Sequence, residues 1–148
     1  SILDLDPRSD QPFRTSKGNS ICFNGEIYNF RAIRKELEQA AYVFSTQGDT
    51  EILAGAIETW GIEPALNKLS GMFAFAFFDQ SAQRLYLARD RLGEKPLYLG
   101  CDGQRYFFAS EVRAFCVLPW FTEKINFESS IKSVQELFNA AKKIDKEL

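Results

Sequence analysis

The run Met72-Phe-Ala-Phe-Ala-Phe-Phe78 is apolar without a break, and no other stretch constrains the fold as much. A half-exposed antiparallel strand alternates apolar and polar residues, whereas an unbroken run of strand length needs cover on both faces. The spacing therefore predicts a strand held between a helix layer on one side and another sheet on the other. Arg84 to Ala88 alternates, and Asp79 to Gln83 between the two reads as a hairpin loop.

Around this centre the chain offers further strands and helices. A start of strand character, Ser1-Ile-Leu-Asp-Leu, breaks at Pro7, and a second strand is expected over about Ser20 to Phe23. Asn24-Gly25 then reads as a tight turn, after which Asn29 is placed to cap a helix of about Phe30 to Ala41. Ile33, Leu37 and Ala41 share one face of it. Tyr42 to Thr46 reads as a short strand, and Asp49 as the cap of a helix whose apolar positions are Ile52, Leu53, Ala56, Ile57 and Trp60, stopped by Gly61. A shorter helix is expected from Pro64 to Leu69. Pro96 to Gly100 and Arg105 to Ala109, joined through Asp102-Gly103, predict another hairpin, so the sheets are antiparallel in large part. Ser110 is expected to cap a helix from Glu111, and Ile131, Val134, Leu137, Phe138, Ala141 and Ile144 form a late amphipathic stripe.

Composition narrows the function. The chain has 148 residues, 45% of them hydrophobic, which suits one domain with a sizeable core. Its 18 basic and 20 acidic residues are interspersed, so no nucleic-acid partner is expected. No apolar run has membrane-spanning length and no secretion signal is visible, so neither a membrane partner nor export is expected and a cytoplasmic location is. The three cysteines, Cys22, Cys101 and Cys116, lack metal-ligand spacing. Cys22, between Ile21 and Phe23, is expected in the core, and Cys116 likewise; Cys101 stands beside a turn. With no histidine, proton transfer by imidazole is excluded, and so is a cysteine–histidine pair.

Three short segments carry chemistry. Asn24-Gly25 at a strand end can aim an amide side chain and a backbone N–H into a cleft, the geometry that stabilises a tetrahedral oxyanion, although a plain turn explains the pair as well. In Gln47-Gly48-Asp49-Thr50-Glu51, a carboxylate near a helix start can receive a substrate ammonium or simply cap the helix. In Arg89-Asp90-Arg91-Leu92-Gly93-Glu94-Lys95-Pro96, the charges either position a loop beside a cleft or lock the bend through charge-assisted bonds.

Taken together with Leu69-Ser-Gly-Met-Phe-Ala-Phe-Ala76 and Phe108-Ala-Ser-Glu111, these segments resemble, in order and density, the class II glutamine amidotransferase domain, most closely that of the asparagine synthetases. The resemblance covers residues 1–119 and implies an α+β fold, a four-layer αββα sandwich of the N-terminal-nucleophile hydrolase type with antiparallel sheets, incomplete at the N-terminus. Residues 120–148 are then a divergent amphipathic extension. By the same resemblance Asn24 and Gly25 match the oxyanion-hole pair, Glu26 a residue of the glutamine pocket, and Asp49 the carboxylate that receives the substrate ammonium.

In that family the nucleophile is an N-terminal cysteine whose own α-amine acts as base, which removes the need for histidine. Ser1 does not match it, so this segment alone is expected to be inactive, with glutamine as substrate of the complete domain. No cofactor is expected on these residues. ATP and Mg belong to a separate ATP-dependent synthetase domain that amidates aspartate, and nothing from Trp120 to Leu148 resembles its pyrophosphate-binding signature. Two alternatives stand beside this expectation: a noncatalytic interaction or regulatory protein on the same fold, and an amidotransferase with another acceptor. An oligomer is compatible with any of them.

Overall fold

The structure, a computed structural model, describes residues 11–101 and 105–118. The expected strand at Ser1 to Pro7 and the late amphipathic stripe lie outside the described residues. Strands β1 (Phe13–Arg14), β2 (Ser20–Ile27), β3 (Gly71–Asp79) and β4 (Arg84–Arg89) form an antiparallel sheet in the order β1-β2-β3-β4. A second, two-stranded antiparallel sheet pairs β5 (Tyr98–Cys101) with β6 (Tyr106–Ala109), followed by a 3-10 helix over Val112–Val117. Helices α1 (Phe30–Gln39), α2 (Asp49–Trp60) and α3 (Ile62–Lys68) lie between β2 and β3 in the chain.

The expected two-sided burial of the central strand is borne out: Phe73 to Phe77 are buried without interruption. Register explains how. Phe73, Phe75 and Phe77 join Ile21, Phe23, Ile27 and Ala88 in one core with Ile33 and Leu37 of α1 and Ile52, Leu53 and Ala56 of α2. Strand alternation sends Ala74 and Ala76 to the opposite face, beside Asn24 and Cys22 respectively. That face carries short side chains at the centre of β3, flanked by Met72 and Phe78, and its two alanines are buried. Helix α2 is buried on every side from Asp49 to Ile57 and sits deep in the helix layer.

Several local expectations are corrected. Asn24-Gly25 is no turn: β2 runs on to Ile27 because β3 pairs with it along its whole length, Ser20 opposite Phe78 through Ile27 opposite Gly71. Cys22 is exposed rather than in the core, because it shares the parity of Asn24 and not that of Ile21 and Phe23; Cys101 and Cys116 are exposed too. Tyr42 to Thr46 forms no strand. The backbone N–H groups of Ser45 and Thr46 donate to the Glu51 carboxylate at 2.8 and 2.5 Å, so no sheet edge has to satisfy them. Helix α1 ends at Gln39 and Ala41 takes a left-handed φ of 63°. Ser110 caps no helix; Glu111 precedes the 3-10 turn, in which only Phe115 is buried.

Asn29 does occupy the cap position of α1, but its side chain leaves the helix. Its Nδ2 donates to the Lys68 carbonyl at 2.8 Å and its Oδ1 accepts from the Ser70 N–H at 2.9 Å. The start of α1 is thereby tied to the segment entering β3, which fixes where β2 ends.

Candidate active site

Backbone parity decides what β2 presents. The Gln11 side chain accepts from the Phe23 N–H at 2.6 Å and donates to the Phe23 carbonyl at 2.7 Å, so the odd residues of β2 aim their backbone groups at the β1 edge, away from β3. The described part of β1 reaches only Phe13, opposite Ile21. Two residues past Phe23, Gly25 turns its N–H to that same edge. The pair Gly25–Phe73 is consequently a non-hydrogen-bonded, close pair of the ladder. A Cβ on Gly25 would run into the Met72 carbonyl oxygen and lie 2.6 Å from Phe73 Cα, so only glycine fits here.

The next odd residue along this edge is Ile27, and there Asp49 arrives. The first residue of α2, with Gly48 rather than Asp49 in the cap position, Asp49 is only 3% exposed. Desolvation pushes its carboxyl above the ordinary range, and the charge of Glu26 pushes the same way, against the backbone N–H groups of Ile27, Asp49 and Thr50 that favour the ionised form. Next to it, the buried Thr50 hydroxyl has no hydrogen-bond partner among the described residues. Glu26 and Asp49 are thus close enough to feel each other, and the strand rise puts Asn24 about 10 Å from Ile27. The structure brings the four sequence-predicted residues to one end of β2.

Asn24 and Glu26 are exposed on the face opposite the core. The Asn24 amide donates to Ser110 Oγ at 3.1 Å, which links this face to the segment that follows β6. Across the sheet the row runs Asn24, Ala74, Arg89. Arg89 spends its guanidinium on the bend, with Nε donating to the Lys95 carbonyl at 2.5 Å and Nη2 to the Gly93 carbonyl. Asp90 does the rest of the locking. Its carboxylate accepts N–H bonds from Leu92, Glu94, Lys95 and Phe73 at 3.1, 3.0, 3.1 and 3.2 Å. The Arg89-Asp90 segment therefore serves the bend, and it also grips Phe73, the partner of Gly25.

Sequence reasoning missed two contributors to this site and one carboxylate outside it. Glu51 looked like dipole-friendly enrichment of a first turn, yet both its oxygens hold the Ser45-Thr46 loop ahead of Asp49. Ser110 looked like a cap and instead meets Asn24. Glu58 is buried far from this end. The apolar run Ile52 to Ile57 in α2 was the one available signal, because a helix buried on every side along that run draws its neighbouring carboxylates in with it.

Cys22 is not an activated thiol. Partial burial pushes the Cys22 thiol above its usual range, and there is no imidazole to take its proton. Among the described residues no group of three histidine, cysteine, aspartate or glutamate side chains could hold a metal ion, and no helix is long and apolar enough to cross a membrane.

The sequence matches the family described as "Glutamine amidotransferase domain" over residues 1–147. The chain belongs to that family. This amidotransferase domain is 44% identical over 117 residues to asparagine synthetase [glutamine-hydrolyzing] 1 of Bacillus subtilis, covering 79% of the chain and 18% of that protein. It is 36% identical over 121 residues to asparagine synthetase [glutamine-hydrolyzing] 3 of the same organism, covering 80% and 20%. The chain spans about a fifth of the length of these relatives. Among solved structures it is similar to glutamine phosphoribosylpyrophosphate amidotransferase from B. subtilis, in complex with ADP and GMP, at a TM-score of 0.66 and 29% identity over 77% of this chain and 27% of that one. The amidotransferase domain therefore has the α+β, N-terminal-nucleophile hydrolase type of fold, of the kind found in asparagine-synthetase-like proteins.

Proposed function

We propose that these residues form the glutamine-binding and oxyanion-stabilising half of a glutaminase, which releases glutamate and ammonia for the amidation of aspartate. The observation that carries the reading is the shared edge of β2: a Gly25 N–H turned away from β3, and at Ile27 a buried Asp49 carboxyl whose ionisation is disfavoured until a cation reaches it. A substrate ammonium is such a cation. It draws Asp49 into the charged form and anchors the amino-acid end of glutamine there, with Glu26 beside it and the unpaired Thr50 hydroxyl close by. The side-chain amide of glutamine then lies back along β2. When its carbonyl carbon is attacked, the developing oxyanion meets the Gly25 N–H and the Asn24 Nδ2, which exchanges Ser110 for it.

The attacking group belongs, on this reading, to an N-terminal cysteine with its own amine as base, since Cys22 is neither activated nor beside a base. ATP and Mg²⁺ enter only the aspartate activation assigned to a synthetase domain; no step at Asn24, Gly25 or Asp49 uses them. In the complete protein carrying this domain, Asn24→Ala should lower kcat for glutamate release about 10²- to 10³-fold with little change in KM. Asp49→Ala should instead act mainly on KM. If glutamate release is undetectable in the parent protein, or is unchanged by Asn24→Ala, the proposed roles are wrong. Formation of asparagine from aspartate, ATP and glutamine is the readout for the acceptor.

A further inference from the structure

Helix α2 begins without a side-chain cap, since Gly48 holds the cap position and has no oxygen to offer. In a capping box the residue three places on, which is Glu51, would reach back to the cap N–H. Glu51 reaches further. It is buried, and its carboxylate accepts four hydrogen bonds from two residues that precede the cap: Oε1 from the Ser45 N–H and hydroxyl, both at 2.8 Å, and Oε2 from the Thr46 N–H at 2.5 Å and hydroxyl at 2.7 Å. The Gly48 N–H donates instead to Thr46 Oγ1, at 3.4 Å. From the other side Arg34 of α1 donates through Nη1 to the Thr46 carbonyl at 3.2 Å, with its guanidinium over the Phe44 ring. Thr46 is therefore fixed by both helices, just ahead of Asp49. Burying a carboxylate is unfavourable unless its oxygens are satisfied, and a plain connection between two helices does not require one. What this carboxylate fixes is the direction in which α2 starts, and with it the Asp49 side chain that meets the Ile27 N–H of β2.

We propose that Glu51 is a positioning residue for Asp49, acting through the Thr46 hydroxyl that bridges its Oε2 to the Gly48 N–H, a role that rests on Asp49 being the receptor of the substrate ammonium. Glu51 itself touches no substrate. Two residues apart on a helix, Asp49 and Glu51 point about 200° away from each other around the axis, so the effect travels through the backbone of the helix start. The two carboxylate oxygens differ in what they reach. Oε2 leads through Thr46 Oγ1 to the cap residue, whereas Oε1 ends at Ser45. If Glu51 only held the loop together, the hydroxyls of Ser45 and Thr46 would be interchangeable; if it aims Asp49, only that of Thr46 matters to binding.

The test is KM and kcat for glutamate release by the complete protein, with urea unfolding of each variant alongside. Thr46→Val removes the bridging hydroxyl at nearly constant shape and should raise KM for glutamine about tenfold, with kcat changed less than about twofold. Thr46→Ser keeps the hydroxyl and should hold KM within about twofold of the parent. Ser45→Ala removes a bond of the same kind from Oε1; it should lower the urea midpoint about as much as Thr46→Val and leave KM unchanged. Glu51→Gln turns an amide donor toward N–H and hydroxyl donors and should raise KM more than Thr46→Val does. Equal effects on KM from Thr46→Val and Ser45→Ala, or a fall in kcat at constant KM, would overturn the proposal. Asp49→Asn separates the two levels: an unchanged KM in that variant removes the receptor and this role with it, whereas a raised KM there beside an unaltered KM in Thr46→Val overturns the role of Glu51 alone. Should Glu51→Gln fail to fold, the comparison of Thr46→Val with Thr46→Ser decides.

Discussion

Asp49 shows, at the scale of one residue, how a binding position conflicts with stability. Burial and the Glu26 charge raise its carboxyl in the folded chain above its unfolded value of about 3.9. The stability this carboxyl allows is therefore fully present below about pH 3.9 and is lost as pH rises through the folded value. Asp49→Asn removes the ionisation while keeping an acceptor for the neighbouring N–H groups. We expect the variant to unfold at a higher urea midpoint than the parent at pH 7, and the gap to close as pH falls through the carboxylate range. A gap that widens on acidification would mean that Asp49 is stabilised by ionisation and is no strained receptor. The same substitution should abolish the pull on a substrate ammonium, so stability and binding move in opposite directions. The sequence could offer the carboxylate at this place, and the resemblance supplied its role. It could not show the burial, because that depends on β2, whose Ile27 N–H meets the carboxyl.

The bend between β4 and β5 is the element in which polar chemistry replaces apolar packing. Four backbone N–H groups converge on the Asp90 carboxylate, which is 7% exposed at the residue level, and Gly93, at a left-handed φ of 67°, lets the Arg89 guanidinium close over the turn. Burial alone would raise this carboxyl, but the N–H groups of Glu94, Lys95, Phe73 and Leu92 outweigh it and hold it below the ordinary range. The sign is opposite to that of Asp49: the stabilisation is present above about pH 3.9 and disappears as pH falls through the folded value. Asp90→Asn turns one acceptor oxygen into a donor facing N–H groups and should lower stability at pH 7 by about 2–3 kcal/mol, with a smaller difference in acid. Denaturant unfolding at several pH values checks this; a loss independent of pH would point to packing instead. The charges of this segment were legible as a lock, yet not their partners. Arg89 and Asp90 bind backbone rather than each other, and Asp90 reaches across to Phe73, a contact that depends on the β3–β4 register.

For the whole molecule, what was legible followed burial. Met72 to Phe78 announced a two-sided strand because its composition permits nothing else, and the hairpins and helices followed from alternation, helical spacing and turn residues. What was not legible depended on which strand lies alongside. Asn24-Gly25 has the composition of a turn, and only a full-length partner in β3 keeps it extended; Cys22 is apolar in context, and only parity turns it outward. The consequence is a sheet whose two faces differ in kind. One face is a sealed aromatic core, and the other presents Cys22, Asn24 and Glu26 beside Ala74 and Ala76 at its centre, with Leu85, opposite Phe78, 41% exposed toward one end. Phe75, at 2% exposure and among the largest fully buried side chains, sits at the middle of the sealed face. Phe75→Ala should cost about 3–5 kcal/mol through lost transfer energy and the cavity left behind, a large share of the 5–15 kcal/mol typical of a domain. Leu85→Ala should cost under about 1 kcal/mol, because little apolar area leaves water there on folding. Urea unfolding of the two variants measures the asymmetry directly: comparable losses would show that the face bearing Asn24 is packed as tightly as the core, and a sheet so packed would leave no room there for a substrate.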